Sequence, residues 1–503
     1  MVRLWSAALD GVSGVPIEVE VRISSQLPRV DVVGLPEATV RESVSRIRGA
    51  IAAAGLNFPD RRVTVNLAPA DLRKSGAALD LAIALGVLAA NGSIDPAQLA
   101  GRAFLGELAL DGRLRASRGT LASLLAAREV GVEEAIVPAA SAARASLAPG
   151  LRICGAPDLA AVLAHLDRRQ VIPPTPTPPL HPNGMVGLAE GAGECLSDIR
   201  GQSQAKRALE VAAAGGHGLL MLGPPGTGKT LLAQRLRGLL PPPDERERLE
   251  ALSVHDAAGL LGADHGLDSR RPFRAPHHSA SSAGLLGGGQ PIRPGEVSLA
   301  HQGVLFLDEL PEFDRRCLES LREVLEQGIV RIARAGQRCE LPARFQLIAA
   351  ANPCPCGDFG RRGRDCRCDD AVLARYRQRL SGPLLDRIDL HVTVGEVPWP
   401  ILNGPATGPT SAEVRERVAR ARRRQLERGG CANAAIPDGQ LEAIVRAKPD
   451  GLALLGRAVE RWHLSARATR CLLRVARTLA DLAGDDATGA EAIAEALEMR
   501  VGG

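Results

Sequence analysis

Three stretches of the chain put side chains where a phosphate could be handled. Gly223-Pro-Pro-Gly-Thr-Gly-Lys-Thr230 fits G-x-x-x-x-G-K-[ST] and lies between an apolar strand-like run and an apolar helical pattern. In that context Gly223, Pro224, Pro225, Gly226, Thr227 and Gly228 form a loop whose backbone N–H groups turn inward on phosphates. Lys229 then supplies a cation to the β and γ groups, and the Thr230 hydroxyl can ligate Mg²⁺. Further on, Val304-Leu-Phe-Leu-Asp308-Glu309 ends a buried strand in two carboxylates. Asp308 is placed to hold Mg²⁺ through its water shell, and Glu309 to orient or deprotonate the attacking water. Asn352 closes the apolar run Phe345 to Ala351, so a neighbouring parallel strand would bring its amide beside the γ-phosphate. The set predicts a site for ATP and Mg²⁺. Spacing alone assigns no role to Arg387 in Leu384-Leu-Asp-Arg-Ile-Asp389 or to Arg467 in Leu464-Ser-Ala-Arg-Ala468.

A parallel sheet flanked by helices must carry these residues, and the chain is long enough for that and more. Its 503 residues favour two to four domains, with 45% hydrophobic and 24% charged residues arguing against global disorder. The clearest boundary is Val171 to Gly184, VIPPTPTPPLHPNG, whose six prolines predict a stiff extended connector. It separates residues 1–170, a mixed α and β domain, from a core of about 185–400. A second Pro/Gly-rich interruption runs from Pro398 to Thr410. Beyond it Thr410 and Glu413 form a T-x-x-E capping box that opens a helical domain of 401–503. No apolar run reaches the ~18–20 residues needed to span a bilayer. The opening Met1 to Asp10 reads as neither a secretory signal nor a transit peptide, which predicts a cytoplasmic protein.

Four of the ten cysteines crowd into Cys354-Pro-Cys356 and Cys366-Arg-Cys368. Four thiolates in one short loop can satisfy tetrahedral Zn²⁺; free thiols and an iron–sulfur cluster are the other readings. His277 and His278, adjacent on a loop, read as structural. A net charge of +5 is mild for this length, so a nucleic-acid site has to come from local arginine clusters. Ile329 to Leu341 reads as a hairpin turning near Ala335-Gly336 and carrying Arg331, Arg334 and Arg338. These cations are either phosphate contacts or a solvated face. Arg361, Arg362, Arg364 and Arg367, and Arg422 to Arg424, are further clusters suited to tracking a DNA backbone.

Arg271-Pro-Phe-Arg-Ala-Pro-His-His-Ser279, Gly295 to Glu309 and Ala350-Ala-Asn-Pro-Cys-Pro-Cys-Gly357 resemble the signatures of the magnesium-chelatase-like branch of the AAA+ ATPases. The whole chain resembles the YifB/ComM family within that branch. The resemblance implies an AAA+ core with a helical lid and a ring, a hexamer, with Asn352 as sensor 1. It further implies Arg387 as the finger reaching a neighbour's nucleotide and Arg467 as sensor 2 from the lid. It implies that the hairpin before sensor 1 points into a central pore. An ATP-driven DNA translocase promoting branch migration in natural transformation follows, with recombination proteins as partners. The alternative is a chelatase-type or remodelling ATPase acting on a protein partner without DNA. The front domain resembles the Lon-type protease domain through Leu105-Gly-Glu-Leu-Ala-Leu-Asp-Gly-Arg113. Here Ala78 occupies the serine's place and Leu121 the lysine's, and Ser75 beside Lys74 is a poor substitute, so no peptidase activity is expected.

Overall fold

The computed structural model describes every residue except 36–37, 71–76, 179–194, 262–269, 290–291, 335–336, 362, 381, 406–407 and 502–503, and except the side chains of 38–41, 334, 337 and 501. Lys74, Ser75 and Arg362 therefore lie outside the described residues, as does the side chain of Arg334.

The front of the chain builds a seven-stranded mixed sheet. Its order is Val30–Val33, Arg62–Ala68, Ser13–Ser24, Val2–Asp10, Arg102–Phe104, Glu134–Pro138 and Arg152–Ala156. Alternate residues of one strand enter different apolar clusters: Ile136 joins helices Ala38–Ala53 and Asp80–Ala90, whereas Ala135 and Val137 join Thr120–Glu129. The sheet is thus covered on both faces, and its later strands read as continuous apolar runs for that reason. Residues 171–178, the start of the stretch expected as a stiff extended connector, run along the last strand. Thr175 N–H donates to Ile153 O at 2.7 Å and the Thr177 hydroxyl to Ser146 O at 3.0 Å. Proline supplies no N–H, but its neighbours do, and these anchor the segment.

The core sheet has five strands, all parallel, in the order Phe273–Arg274, Val304–Leu307, Gln346–Ala351, Leu219–Leu222 and Leu390–Thr393. Leu222 pairs with Ala351 and Leu307 with Ala349, so the segments that follow three of these strands leave one edge together. The helices Ser411–Gly429, Pro449–Trp462, Ala466–Ala483 and Ala490–Val501 form the lid. The capping box that opens it is present in both directions, with Thr410 N–H donating to Glu413 at 2.8 Å and Glu413 N–H to the Thr410 hydroxyl at 3.3 Å. The lid grips the opposite, N-terminal edge of the sheet. The Arg500 guanidinium donates to Ile388 O at 2.9 Å, and buried His217 bridges Asp389 at 2.9 Å and Thr478 at 2.8 Å.

The front domain docks on the core at two places. Buried Asp256 accepts the Leu121 N–H at 2.8 Å and faces Arg144 at 3.4 Å. Val12, in the turn between the first two strands, shares an apolar cluster with Val330, Cys339 and Leu341 at the base of the hairpin. Gly11 makes the close approach possible: its φ is +65°, and a Cβ there would fall 2.2 Å from the Cys339 sulfur.

Candidate active site

The loop 223–228 follows strand Leu219–Leu222 and runs into helix Lys229–Leu239, with Gly226 (φ +79°) and Gly228 (φ +88°) in the left-handed region that side chains avoid. Gly223 has no room for a side chain, since a Cβ would meet Val394 O at 2.1 Å. Lys229 is buried, and its ammonium donates to Gly223 O at 2.7 Å, Pro224 O at 2.8 Å and Asn352 Oδ1 at 3.1 Å. Burial pushes its pKa below the usual lysine range, with Asp308 and Glu309 pulling the other way. The Thr230 hydroxyl donates to Asp308 Oδ2 at 2.7 Å. The structure therefore gathers Lys229, Thr230, Asp308 and Asn352 at one edge of the sheet, on three adjacent strand ends. Two oxygen donors at the mouth of a phosphate-sized loop suit a hard cation such as Mg²⁺.

Glu309 stands beside them with φ +53°, a left-handed backbone outside glycine, and its N–H donates to Asp308 Oδ1 at 2.9 Å. Its carboxylate has a partner that sequence reasoning dismissed: His278 Nδ1 lies 3.0 Å from Glu309 Oε2. His277 instead lies 2.8 Å from the Ser279 hydroxyl. Strand Phe273–Arg274 pairs in parallel with Val304–Leu307, which brings the segment after one strand end beside the other. The signal was present in the Arg-Ala-Pro-His-His run, but only strand order tells which carboxylate it meets.

Arg387 and Arg467 lie elsewhere. Arg387 precedes strand Leu390–Thr393, at the N-terminal edge, and is ion-paired to Glu326. Arg467, at the start of its lid helix, donates to the same Glu326 oxygen at 2.8 Å. Arg467 first, and Arg387 beside it, hold the Glu326 carboxyl below the usual glutamate range. Both arginines line a cavity of about 860 Å³ shared with Arg344, Arg470 and Arg474. Four-residue strands, each about 13 Å long, stand between this cluster and Lys229. In this structure Arg467 therefore faces Glu326 and not the loop 223–228, and the lid that carries it is fastened to the other edge.

The remaining cations are reassigned in part. The hairpin is formed by Ile329–Arg334 and Gln337–Pro342. Arg331 is paired to Glu340 at 2.9 Å and near Glu323 at 3.9 Å, whereas exposed Arg338 has no side-chain partner among the described residues. Arg422 is not a DNA-facing cation: it caps the helix Ser203–Gly215 by donating to Ala214 O at 3.0 Å and Ala213 O at 3.1 Å. Burial pushes its pKa down to about 10. Arg424 pairs with Asp486, and Arg361 with Asp358 and Glu396. The sulfurs of Cys354, Cys356, Cys366 and Cys368 all lie within 4.8 Å of one another, with separations of 3.3 and 3.7 Å. Cys154, Cys317, Cys339 and Cys471 are buried apart from them. No helix is long and apolar enough to cross a membrane among the described residues.

Comparison with known proteins bears on the family of the chain. Residues 195–400 match the family model described as magnesium chelatase, subunit ChlI; residues 19–141 match subunit ChlI of Mg-chelatase; and residues 408–500 match the ChlI C-terminal model. The competence protein ComM of Haemophilus influenzae is 43% identical over 500 residues, covering 99% of this chain and 97% of that one. The YifB protein of Escherichia coli is 42% identical over 494 residues, 97% of this chain and 95% of that one. The magnesium-chelatase 67 kDa subunit of Heliobacterium mobile is 30% identical over 233 residues, 40% of this chain and 31% of that one. With family models along most of its length and full-length relatives above 40% identity, the chain belongs to the magnesium-chelatase family of AAA+ proteins, in the YifB/ComM group.

Proposed function

We propose that the chain is a ring-forming ATP hydrolase that moves DNA and promotes branch migration of recombination intermediates in natural transformation. One observation carries the hydrolase reading: Lys229, Thr230, Asp308 and Asn352 meet at one edge of the sheet, while Arg387 and Arg467 share Glu326 at the other. The loop N–H groups and Lys229 bind the β and γ phosphates, and Asn352 keeps Lys229 aimed at them. Thr230 and Asp308 would hold Mg²⁺, which would supply positive charge to offset the negative charge of the phosphates. Glu309 orients the attacking water and takes its proton. A chain whose arginines sit on the far edge completes its site only against a neighbour. Arg387 and Arg467 therefore both act on the next subunit's nucleotide, in a closed ring of six.

His278 positions Glu309 by occupying one carboxylate oxygen and leaving the other for water. His278→Ala is expected to lower turnover about ten- to a hundredfold, the scale of one lost hydrogen bond to a charged group, with ATP affinity unchanged. His278→Asn, which restores an N–H, should recover part of the loss. Equal turnover in all three proteins removes His278 from the site.

The four thiols hold one structural Zn²⁺. With Zn–S near 2.3 Å, tetrahedral sulfurs stand about 3.8 Å apart, which the two 3.7 Å separations approach while Cys354 and Cys356 stand closer, at 3.3 Å. A cluster of two or four irons interposes its own atoms and spreads the cysteines wider.

For DNA, the support is the relative named as a competence protein and a hairpin whose sequence carries Arg331, Arg334 and Arg338, with Arg331 and Arg338 exposed. The protein works in the cytoplasm, beside recombination proteins. A purified ring should bind four-way junctions independently of sequence, hydrolyse ATP faster with them and move the branch point. Neutralising Arg334 and Arg338 together should flatten the salt dependence of binding by up to about two units. Arg331, already paired to Glu340, should contribute less. If the protein neither binds DNA nor is stimulated by it in low salt with ATP, the reading fails and a remodelling motor acting on a protein takes its place.

A further inference from the structure

We propose that the metal-bound cysteine loop is a wall of the nucleotide site that presses on the phosphate loop through Gly357, so that metal loading sets how tightly ATP is held. This rests on reading the four thiols as a zinc site and loop 223–228 as the phosphate site, and it adds a link between the two.

The cysteine loop is fastened to the site at both ends. Its first thiol, Cys354, stands two residues after Asn352, whose side chain holds Lys229. Gly357 N–H donates to Cys354 O at 3.0 Å and Phe359 N–H to the Cys354 sulfur at 3.3 Å, which wraps the backbone around that thiol. The wrap brings Gly357 against Pro225 of the phosphate loop. Gly357 is buried with φ +81°, and a Cβ there would stand 2.5 Å from Pro225 Cδ and 3.0 Å from Cγ. Further along, Arg361 reaches Glu396. Next to it, Gly395 O accepts from Gln202 at 2.7 Å, and the same amide donates to Thr227 O at 3.3 Å.

Between strand Gln346–Ala351 and helix Asp370–Arg379 no described residue belongs to a helix or strand, so neither ladder nor helix stiffens the wall. Four thiolate bonds to one cation would do so, as metals do for small segments without a core. A proline ring and a glycine backbone in contact also transmit displacement directly, because neither has a rotatable side chain to absorb it. Gly360 (φ +74°) and Gly363 (φ +73°) share the loop and the left-handed backbone, yet a Cβ on either meets nothing within 4 Å. They carry the same backbone strain as Gly357 without the contact, and so form a matched control.

The test uses the full chain and a fluorescent ATP analogue as probe, with zinc measured by elemental analysis and folding by thermal melting. Gly357→Ala, Gly360→Ala and Gly363→Ala should all retain about one zinc per chain. Gly357→Ala alone should bind the probe about tenfold more weakly, the cost of a fraction of an ångström of misplacement in a preorganised site. Stripping zinc from the parent with a chelator, in excess Mg²⁺, should weaken the probe similarly while the chain stays folded. Parental affinity in Gly357→Ala with its zinc intact, or in the stripped parent, would overturn the link and leave the zinc assignment standing. A parent with near-zero zinc and four titratable thiols would instead overturn the zinc assignment, and metal control with it. Should Gly357→Ala fail to fold, the stripped parent decides alone.

Discussion

Glu309→Gln is expected to slow ATP hydrolysis by about two to four orders of magnitude while ATP still binds, because the general base is lost and the phosphate cradle is not. The substitution keeps size and shape, and the amide can keep the contact in which His278 Nδ1 lies 3.0 Å from the side-chain oxygen. The left-handed turn that aims the side chain is held by Asp308 Oδ1 on the Glu309 N–H, which the change does not touch. Lys229→Ala provides the contrast. Its ammonium is the buried hub of three hydrogen bonds at the loop, so its loss should abolish binding and turnover together. Single-turnover hydrolysis with bound ATP separates the two. A Glu309→Gln protein that turns over like the parent would show that the water is activated elsewhere.

The phosphate loop, Asp308 and Asn352 were legible because their signals are local: a glycine-rich turn after an apolar run, and polar residues at the ends of two others. Parallel pairing then does the assembly, and any order that places these strands side by side gathers the same residues. What the sequence hid depends on contacts between distant segments. His278 meets Glu309 only because Phe273–Arg274 lies beside Val304–Leu307. Arg422 looks like one more cation in an arginine run, yet it closes the C-terminus of a helix two hundred residues earlier, where free carbonyls accept it. Arg331 reads as a phosphate contact or part of a solvated face, and has Glu340 opposite on the paired strand, which hairpin register could have suggested. The docking of Val12 on the hairpin base has no local signal at all, since an apolar turn residue says nothing of which cluster it enters. Arg467 resembles a sensor by motif, and only the lid's attachment at Arg500 and His217 places it at the edge away from loop 223–228.

That placement makes the second large effect a property of the assembly. Arg387→Ala rings should hydrolyse ATP about a thousandfold or more slowly, the scale of a missing arginine finger, although every subunit binds nucleotide. Lys229→Ala rings should be equally inactive for the opposite reason. In an evenly mixed ring, an intact pocket from an Arg387→Ala subunit faces an intact finger from a Lys229→Ala subunit at about a quarter of the interfaces, and turnover should return to about that fraction of wild type. The same experiment decides how Arg467 works. Because Arg387 and Arg467 share Glu326, one chain presents both to the same neighbour. Arg467→Ala should then be rescued by Lys229→Ala and not by Arg387→Ala, since every subunit in the latter mixture presents a broken pair. Rescue of Arg467→Ala by Arg387→Ala would mean that Arg467 serves its own chain's pocket, and that the lid leaves the sheet edge where His217 and Arg500 hold it. Failure of the Lys229→Ala and Arg387→Ala mixture, in rings shown to contain both, would confine Arg387 to a structural role at Glu326.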